Sequence, residues 1–96
     1  MNLSKNKISD IKELENAKLE KLESLNLGEN NISNIDILEK VNFQQLKGLI
    51  LSSNKISDIN VLEKVKFEKL ELLNLIGNKI DSTKNNLNVS KFKIFI

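Results

Sequence analysis

Residues 25–35 read LNLGENNISNI, and 24 positions later residues 49–59 read LILSSNKISDI. The chain opens on the same pattern, MNLSKNKISDI, and residues 73–83 carry it once more as LNLIGNKIDST. Copies in register at one fixed period predict a stacked-repeat architecture rather than one globular core. In that architecture each copy forms one turn of the chain and packs against the next.

Each copy begins with a short strand. Leu25 and Leu27 alternate with polar residues, which is the period-2 signature of a strand with one buried face. Such a strand is not stable alone, so we expect it to pair in parallel with the equivalent strand one period later. The chain must then turn, and an asparagine at that corner can satisfy backbone groups that the turn leaves unpaired. The sequence therefore predicts a structural ladder formed by Asn6, Asn30, Asn54 and Asn78.

The second half of each copy predicts a short helical or 3-10 segment. Asp10, Asn34 and Asp58 recur at the same period and are residue types that start helices. Apolar residues three positions apart follow them, as at Ile35 and Leu38, and would turn an apolar stripe inward.

The pattern Leu-x-x-Leu-x-Leu-x-x-Asn-x-Ile-x-x-Ile resembles the leucine-rich repeat family, and the resemblance covers nearly all of the chain. The Ile-Ser-Asp-Ile variants at residues 8–11 and 56–59 look most like the subclass found in phosphatase-regulatory subunits and bacterial internalins. The resemblance implies an α/β fold, a right-handed solenoid (horseshoe) of four turns. Parallel strands would line its concave side and short helical or 3-10 segments its convex side, and its role would be to bind protein. That subclass repeats at about 22 residues, which is shorter than the period here, so we expect the additional residues of this chain near residues 41–43.

The repeats account for the whole chain as a single domain, 1–96. We place them at about 1–21, 22–45, 46–69 and 70–86, and we expect residues 87–96 to close the domain with a last strand. At the other end Met1 holds the position of the strand leucines, so the first turn is expected to leave an apolar edge uncovered. This predicted self-association edge comprises Leu3, Ile8, Ile11, Leu14 and Leu19. Three explanations of such an edge stay open: a homo-oligomer, a fragment of a longer repeat protein, or an exposed edge that the chain tolerates.

Composition argues against several functions. The chain has no His and no Cys, so it lacks the usual proton shuttle, the thiolate nucleophile and the commonest transition-metal ligands. We therefore expect no enzyme, no metal and no cofactor. All 15 basic residues are lysines, and the absence of arginine argues against sequence-specific binding of nucleic acid. No apolar run reaches the roughly 18 residues that a membrane span needs, and with no cysteine and no recognisable leader the cytoplasm is the expected location.

Strand alternation assigns one set of side chains to the concave face, where the resemblance implies that a partner binds. The set comprises Ser24, Asn26, Gly48, Ile50, Ser52, Leu72, Asn74 and Ile76, with Gly28 in the same columns. It carries no charge, and we expect Ile50, Leu72 and Ile76 to form an exposed apolar contact patch. Four strands about 4.8 Å apart span only about 20 Å, so the face alone offers less than the roughly 800 Å² per partner of a standard stable interface. The sequence thus predicts a non-catalytic protein–protein interaction module, and the alternative is a structural unit that self-associates through its first turn.

Overall fold

The structure is a computed structural model, and it describes residues 1–81, 83–84 and 92–96. Strands and 3-10 helices alternate along the described chain. The strands are β1 (Ser24–Asn26), β2 (Gly48–Ile50), β3 (Leu72–Asn74) and β4 (Lys93–Phe95). The 3-10 helices are Lys12–Glu15, Asp36–Glu39 and Asn60–Glu63, and each of them precedes one of the strands β1, β2 and β3.

The strands form one parallel sheet in the order β1-β2-β3-β4. Leu25 lies opposite Leu49, and Leu49 lies opposite Leu73, so the period of the sequence is the step between neighbouring strands. Asn2 adds an isolated parallel bridge to Asn26 on the far side of β1. The expectation that strands one period apart pair in parallel is therefore confirmed. A parallel sheet with short 3-10 helices is compatible with the predicted α/β class.

The hydrophobic core lies between the sheet and the 3-10 helices. Leu25, Leu49 and Leu73 point into it from the strands, and Leu38 and Leu62 enter it from the helices. All five are almost fully buried, as expected for strands that alternate and for helices whose apolar residues recur on one side. The second and third repeats thus contribute the same kind of side chain at the same places in the core.

Residues 41–43 and 65–67 lie outside regular elements but are part of this core. Val41, Phe43, Val65 and Phe67 are all buried. The rings of Phe43 and Phe67 pack with centroids 5.6 Å apart and planes tilted by 55°, a favourable arrangement for an aromatic pair. The stretch where the sequence predicted additional residues therefore supplies the bulkiest core side chains of the second and third repeats.

The corner after each strand passes through the left-handed region of backbone conformation. The residues with positive φ recur at the repeat period: Lys5 at 58°, Glu29 at 55°, Ser53 at 54° and Gly77 at 82°. A sharp corner of this kind directs several carbonyl and amide groups inward, and buried backbone groups need partners. Each of these residues immediately precedes an asparagine of the predicted ladder.

Asn54 shows how the asparagine meets that need. Its Nδ2 donates within its own repeat to the carbonyls of Leu51 at 3.0 Å and Ser52 at 3.2 Å, and reaches back to the carbonyl of Leu27 at 3.0 Å. Its Oδ1 accepts the N–H of Ile32 from the preceding repeat, also at 3.0 Å. The side chain is only 7% exposed. One amide therefore closes its own corner and joins it to the repeat before.

The other asparagines differ in burial. Asn30 and Asn78 make the equivalent contacts one repeat earlier and one repeat later, and Asn30 is buried whereas Asn78 is half-buried. Asn6 is exposed and donates to the carbonyls of Leu3 and Ser4 in its own repeat. The links between repeats thus have their most buried members in the middle of the chain.

The predicted helix-start residues bond to the helices from one position earlier than an N-cap. The Oδ1 of Asp10, Asn34 and Asp58 accepts the N–H of the first helical residue, two positions later, at 2.8–2.9 Å. The N-cap position itself holds Ile11, Ile35 or Ile59, which has no oxygen in its side chain. Because the isoleucine is needed in the core, the polar residue acts through an i to i+2 bond.

The predicted self-association edge requires a correction at Ile11. This side chain is 5% exposed and belongs to the core, because it enters the helix side in the same way as Ile35 and Ile59. The remaining members are half-buried and pack against the core: Leu3, Ile8, Leu14 and Leu19. The predicted closing segment, 87–96, is described only from residue 92, and its expected last strand is β4.

A pair of local hydrogen bonds between Thr83 and Asp81 gives a test by titration. The hydroxyl and the N–H of Thr83 both donate to Asp81 Oδ1, at 2.6 and 2.9 Å, and these bonds lower the pKa of the exposed Asp81 carboxyl below its ordinary value of 3.8. Thr83→Val removes the hydroxyl, the larger cause, so we expect the pKa of Asp81 to rise in an NMR titration of the carboxyl carbons, and Thr83→Ser to leave it low. Because the pKa is depressed on folding, the bonds stabilise the folded state above the unfolded pKa and lose this effect as the pH falls through the folded pKa. An Asp81 pKa unchanged by Thr83→Val would contradict this assignment.

Candidate binding face on the sheet

The side of the sheet opposite the core presents an ordered set of side chains. Register and alternation place Ser24, Gly48, Leu72 and Lys93 in one row across the strands, and Asn26, Ile50, Asn74 and Phe95 in the next. Ser52 and Ile76 follow two positions beyond Ile50 and Asn74, so the same alternation directs them to this side. We call these ten residues the sheet face.

The structure exposes the predicted apolar residues unequally. Leu72 and Ile76 are 36% and 51% exposed, as expected. Ile50 is half-buried, which corrects the expectation that it is exposed. It lies between Asn26 and Asn74 on the adjacent strands, and side chains on both sides cover part of it.

Leu72 is more exposed because its neighbour on β2 is Gly48, which has no side chain to cover it.

The other predicted residues of the face differ in how far they are exposed. Ser24 is exposed, whereas Asn26, Gly48, Ser52 and Asn74 are half-buried. Gly28 is buried and lies outside the sheet face. A Cβ there would approach Ser52 Oγ to 3.1 Å and Asn26 Oδ1 to 3.2 Å.

Sequence reasoning missed two members of the face, Lys93 and Phe95. Phe95 is 44% exposed and pairs with Asn74, and Lys93 is exposed and pairs with Leu72. One further repeat period would have put residue 96 beside Leu72, but Lys93, three positions earlier, occupies that place. The difference in residue number between paired positions is even from β1 to β3 but odd from β3 to β4. The outward residues of β4 are therefore the odd-numbered ones, whereas those of β1 to β3 are even-numbered. A signal in the sequence could have found them: Phe92, Ile94 and Ile96 are apolar at every second position. This alternation predicts that positions 93 and 95 face outward.

The asparagines of the face have one of their polar groups already engaged. Asn26 Oδ1 accepts the N–H of Gly28 at 2.9 Å, and Asn74 Oδ1 accepts the N–H of Ile76 at 3.0 Å. A side-chain amide carries two N–H donors as well as that oxygen. Asn26 and Asn74 therefore present the N–H donors of Nδ2 to a partner. Ile50 occupies the same row and interrupts it with an apolar group.

Charge on and around the face is mostly positive. Lys93 is the only charged side chain of the sheet face as defined here. One position after the ladder asparagines stand Lys7, Lys55 and Lys79, with Asn31 in the second repeat, and all four are exposed. Glu23 and Lys47, at the amino ends of β1 and β2, lie 3.6 Å apart and are both exposed, so their ion pair contributes little to stability.

On the helix side of the described chain, open grooves lie between neighbouring 3-10 helices. The larger, of about 460 Å³, lies between the first two 3-10 helices and is lined in part by Asp10, Lys12, Asp36 and Lys40. The smaller, of about 300 Å³, lies between the second and third helices. Both mix acids with lysines, and the described residues contain no group of three or more His, Cys, Asp or Glu side chains placed to hold a metal ion. Neither groove combines exposed apolar side chains as the sheet face does.

Comparison of the chain with protein-family models found no match, and comparison with curated proteins also found none. Among the described residues there is no helix whose length and hydrophobicity would allow it to cross a membrane.

Proposed function

We propose that this chain is a leucine-rich repeat solenoid that binds another protein through the sheet face and has no catalytic role. Three observations support the solenoid: the repeated sequence pattern, the in-register parallel strands one period apart, and the asparagines that bond to the repeat before their own. In this proposal the sheet face is concave, the 3-10 helices are convex, and the repeats have the boundaries given above. The lack of His and Cys is the reason for proposing no catalysis.

The observation that carries the binding proposal is where apolar surface is exposed. The large hydrophobic side chains that are exposed among the described residues are Met1, Leu72, Ile76, Phe95 and Ile96. Three of these five lie on the sheet face, next to half-buried Ile50. Apolar side chains gathered on one face and bordered by small polar groups are typical of a contact surface. Scattered aliphatic residues would need no such explanation.

Self-association through the first turn is the alternative that the sequence left open. The first-turn residues Leu3, Ile8, Leu14 and Leu19 are half-buried and pack against the core, so each of them is less exposed than Leu72, Ile76 or Phe95. We therefore place the partner site on the sheet face.

Ile50→Asn tests the site with little risk to the fold. Asparagine already stands in this row at positions 26 and 74, and its Oδ1 would meet the N–H of Ser52 as Asn26 meets that of Gly28. Peptides selected from a random 16-residue display library on the immobilised protein would be measured by fluorescence anisotropy. We expect Ile50→Asn to weaken their binding at least about tenfold, because a central apolar contact is worth more than about 1.4 kcal/mol.

Lys40→Asn is the matched control, since this exposed lysine lines the larger groove on the helix side. It should leave the same affinities unchanged, and circular dichroism should show equal melting temperatures for both variants and the wild type. Selected peptides that bind Ile50→Asn and wild type equally, or a selection that yields no binders, would remove the sheet face as the site.

A further inference from the structure

The exposed apolar surface of the sheet face lies toward its β4 end. Leu72 and Ile76 belong to the β3 turn and Phe95 to β4, whereas β1 contributes Ser24 and Asn26. The shortened step from β3 to β4 creates this asymmetry, because it directs Phe95 outward beside Asn74. A partner that seeks apolar contacts is therefore drawn to the β3 and β4 half of the face.

The polar groups in that half are donors. Asn74 uses its Oδ1 on the N–H of Ile76 and keeps its Nδ2 hydrogens for a partner. Lys93 lies directly across from Leu72 and carries an ammonium group, which only donates. The sheet face has no carboxylate that would accept from these groups. A partner that engages Asn74 and Lys93 therefore brings hydrogen-bond acceptors of its own.

The charges around this half favour an acidic partner. Lys55 and Lys79 are exposed at the corners that follow β2 and β3. On the opposite rim Glu71 is exposed, and Lys47 is paired with Glu23. Lysines therefore outnumber acids around Leu72, Ile76 and Phe95, and complementary charge suppresses the wrong partners and favours the right one.

We infer that the partner is an acidic amphipathic protein segment. Its apolar side chains cover Ile50, Leu72, Ile76 and Phe95, and one of its carboxylates pairs with Lys93. This inference rests on the proposed function and adds the chemical class of the partner. Lys93 selects for charge, while the apolar residues supply most of the affinity.

Three synthetic pools of 16-residue peptides test the inference. The pools share the same randomised apolar positions and differ only in carrying Glu, Gln or Lys at four polar positions. In anisotropy titrations at low salt we expect the Glu pool to bind about tenfold more tightly than the Gln pool and the Lys pool to bind most weakly. The preference should shrink as salt is raised, because exposed charges are screened.

Lys93→Gln should reduce the advantage of the Glu pool over the Gln pool about threefold to fivefold. Lys93→Glu should go further and favour the Lys pool. Lys7→Gln is the matched control, because this exposed lysine lies in the first repeat, away from β4, and its removal should leave the preference unchanged.

The outcomes separate this inference from the proposed function. Equal binding of the Glu and Gln pools, with both weakened by Ile50→Asn, would overturn the acidic partner and leave the sheet face as the site. Binding of no pool would overturn both. A dimer in sedimentation that Phe95→Asp dissolves would also overturn the inference, because a second copy of the chain would then occupy the face.

Discussion

Asn54→Ala is expected to lower the free energy of unfolding by about 4 kcal/mol. The substitution deletes an acceptor and a donor group that are almost completely buried and that join two repeats. The N–H of Ile32 loses Oδ1, the acceptor that the structure gives it, and an unpaired buried donor costs about 1–3 kcal/mol. The two N–H donors of Nδ2, which are shared among three carbonyls, are lost as well, at about 0.5–1.5 kcal/mol for each donor.

The loss stops near that value because some carbonyls keep a partner. Leu51 still accepts from Asn78, and Leu27 still accepts from Asn30. Asn6→Ala is the matched control, since Asn6 is exposed and water can replace its bonds to Leu3 and Ser4. It should cost less than about 1 kcal/mol.

Denaturant unfolding followed by circular dichroism is the measurement, because the chain has no Trp or Tyr to report by fluorescence. The slope of the transition should stay constant between variants, which checks that the repeats still unfold together. Equal losses for Asn6→Ala and Asn54→Ala would show that these corners do not depend on the buried amide. Asn54→Asp adds a second check, since a carboxylate can accept from Ile32 but has no hydrogen to donate to the three carbonyls.

The sequence predicted the parts of the fold in which equivalent residues of successive repeats pack against each other. Leu49 lies opposite Leu25 on one neighbouring strand and opposite Leu73 on the other. Residues one repeat period apart in the sequence are therefore neighbours in the sheet. The same argument located the asparagine corners and the start of each 3-10 helix. It fails at β4, because the sequence after residue 83 does not repeat the pattern, and Lys93 rather than residue 96 pairs with Leu72.

Exposure was harder to predict than direction. Alternation correctly put Ile50 and Leu72 on the same side, but their coverage depends on neighbours in adjacent strands. Ile50 has an asparagine on both sides, whereas Leu72 has a glycine on one side and Lys93 on the other, and Leu72 is the more exposed of the two. Lys93, which we propose to select the partner, was missed for the same reason that the spacing of β4 was missed. The sequence thus predicted which side of the sheet carries the candidate site, but it did not predict all of the residues on that side.

Phe43→Ala is the second large effect, with an expected loss of about 4 kcal/mol. The ring is 1% exposed, the largest of the fully buried side chains, and it packs on Phe67. Deleting a buried phenylalanine removes its transfer free energy and leaves a cavity, and the neighbouring repeats limit how far the site can collapse. Phe43→Ala combined with Phe67→Ala should cost less than the sum of the single changes, because each single change already removes the ring contact.

Phe95→Ala makes the same chemical change at an exposed position, so it is the matched control for stability and the converse test for binding. It should change the free energy of unfolding by less than about 1 kcal/mol, because little of its surface becomes newly exposed. The same variant should weaken the binding of peptides that the sheet face selects. If Phe95→Ala destabilised the fold as much as Phe43→Ala does, the ring would belong to the scaffold, and apolar surface on β4 would no longer support a partner site.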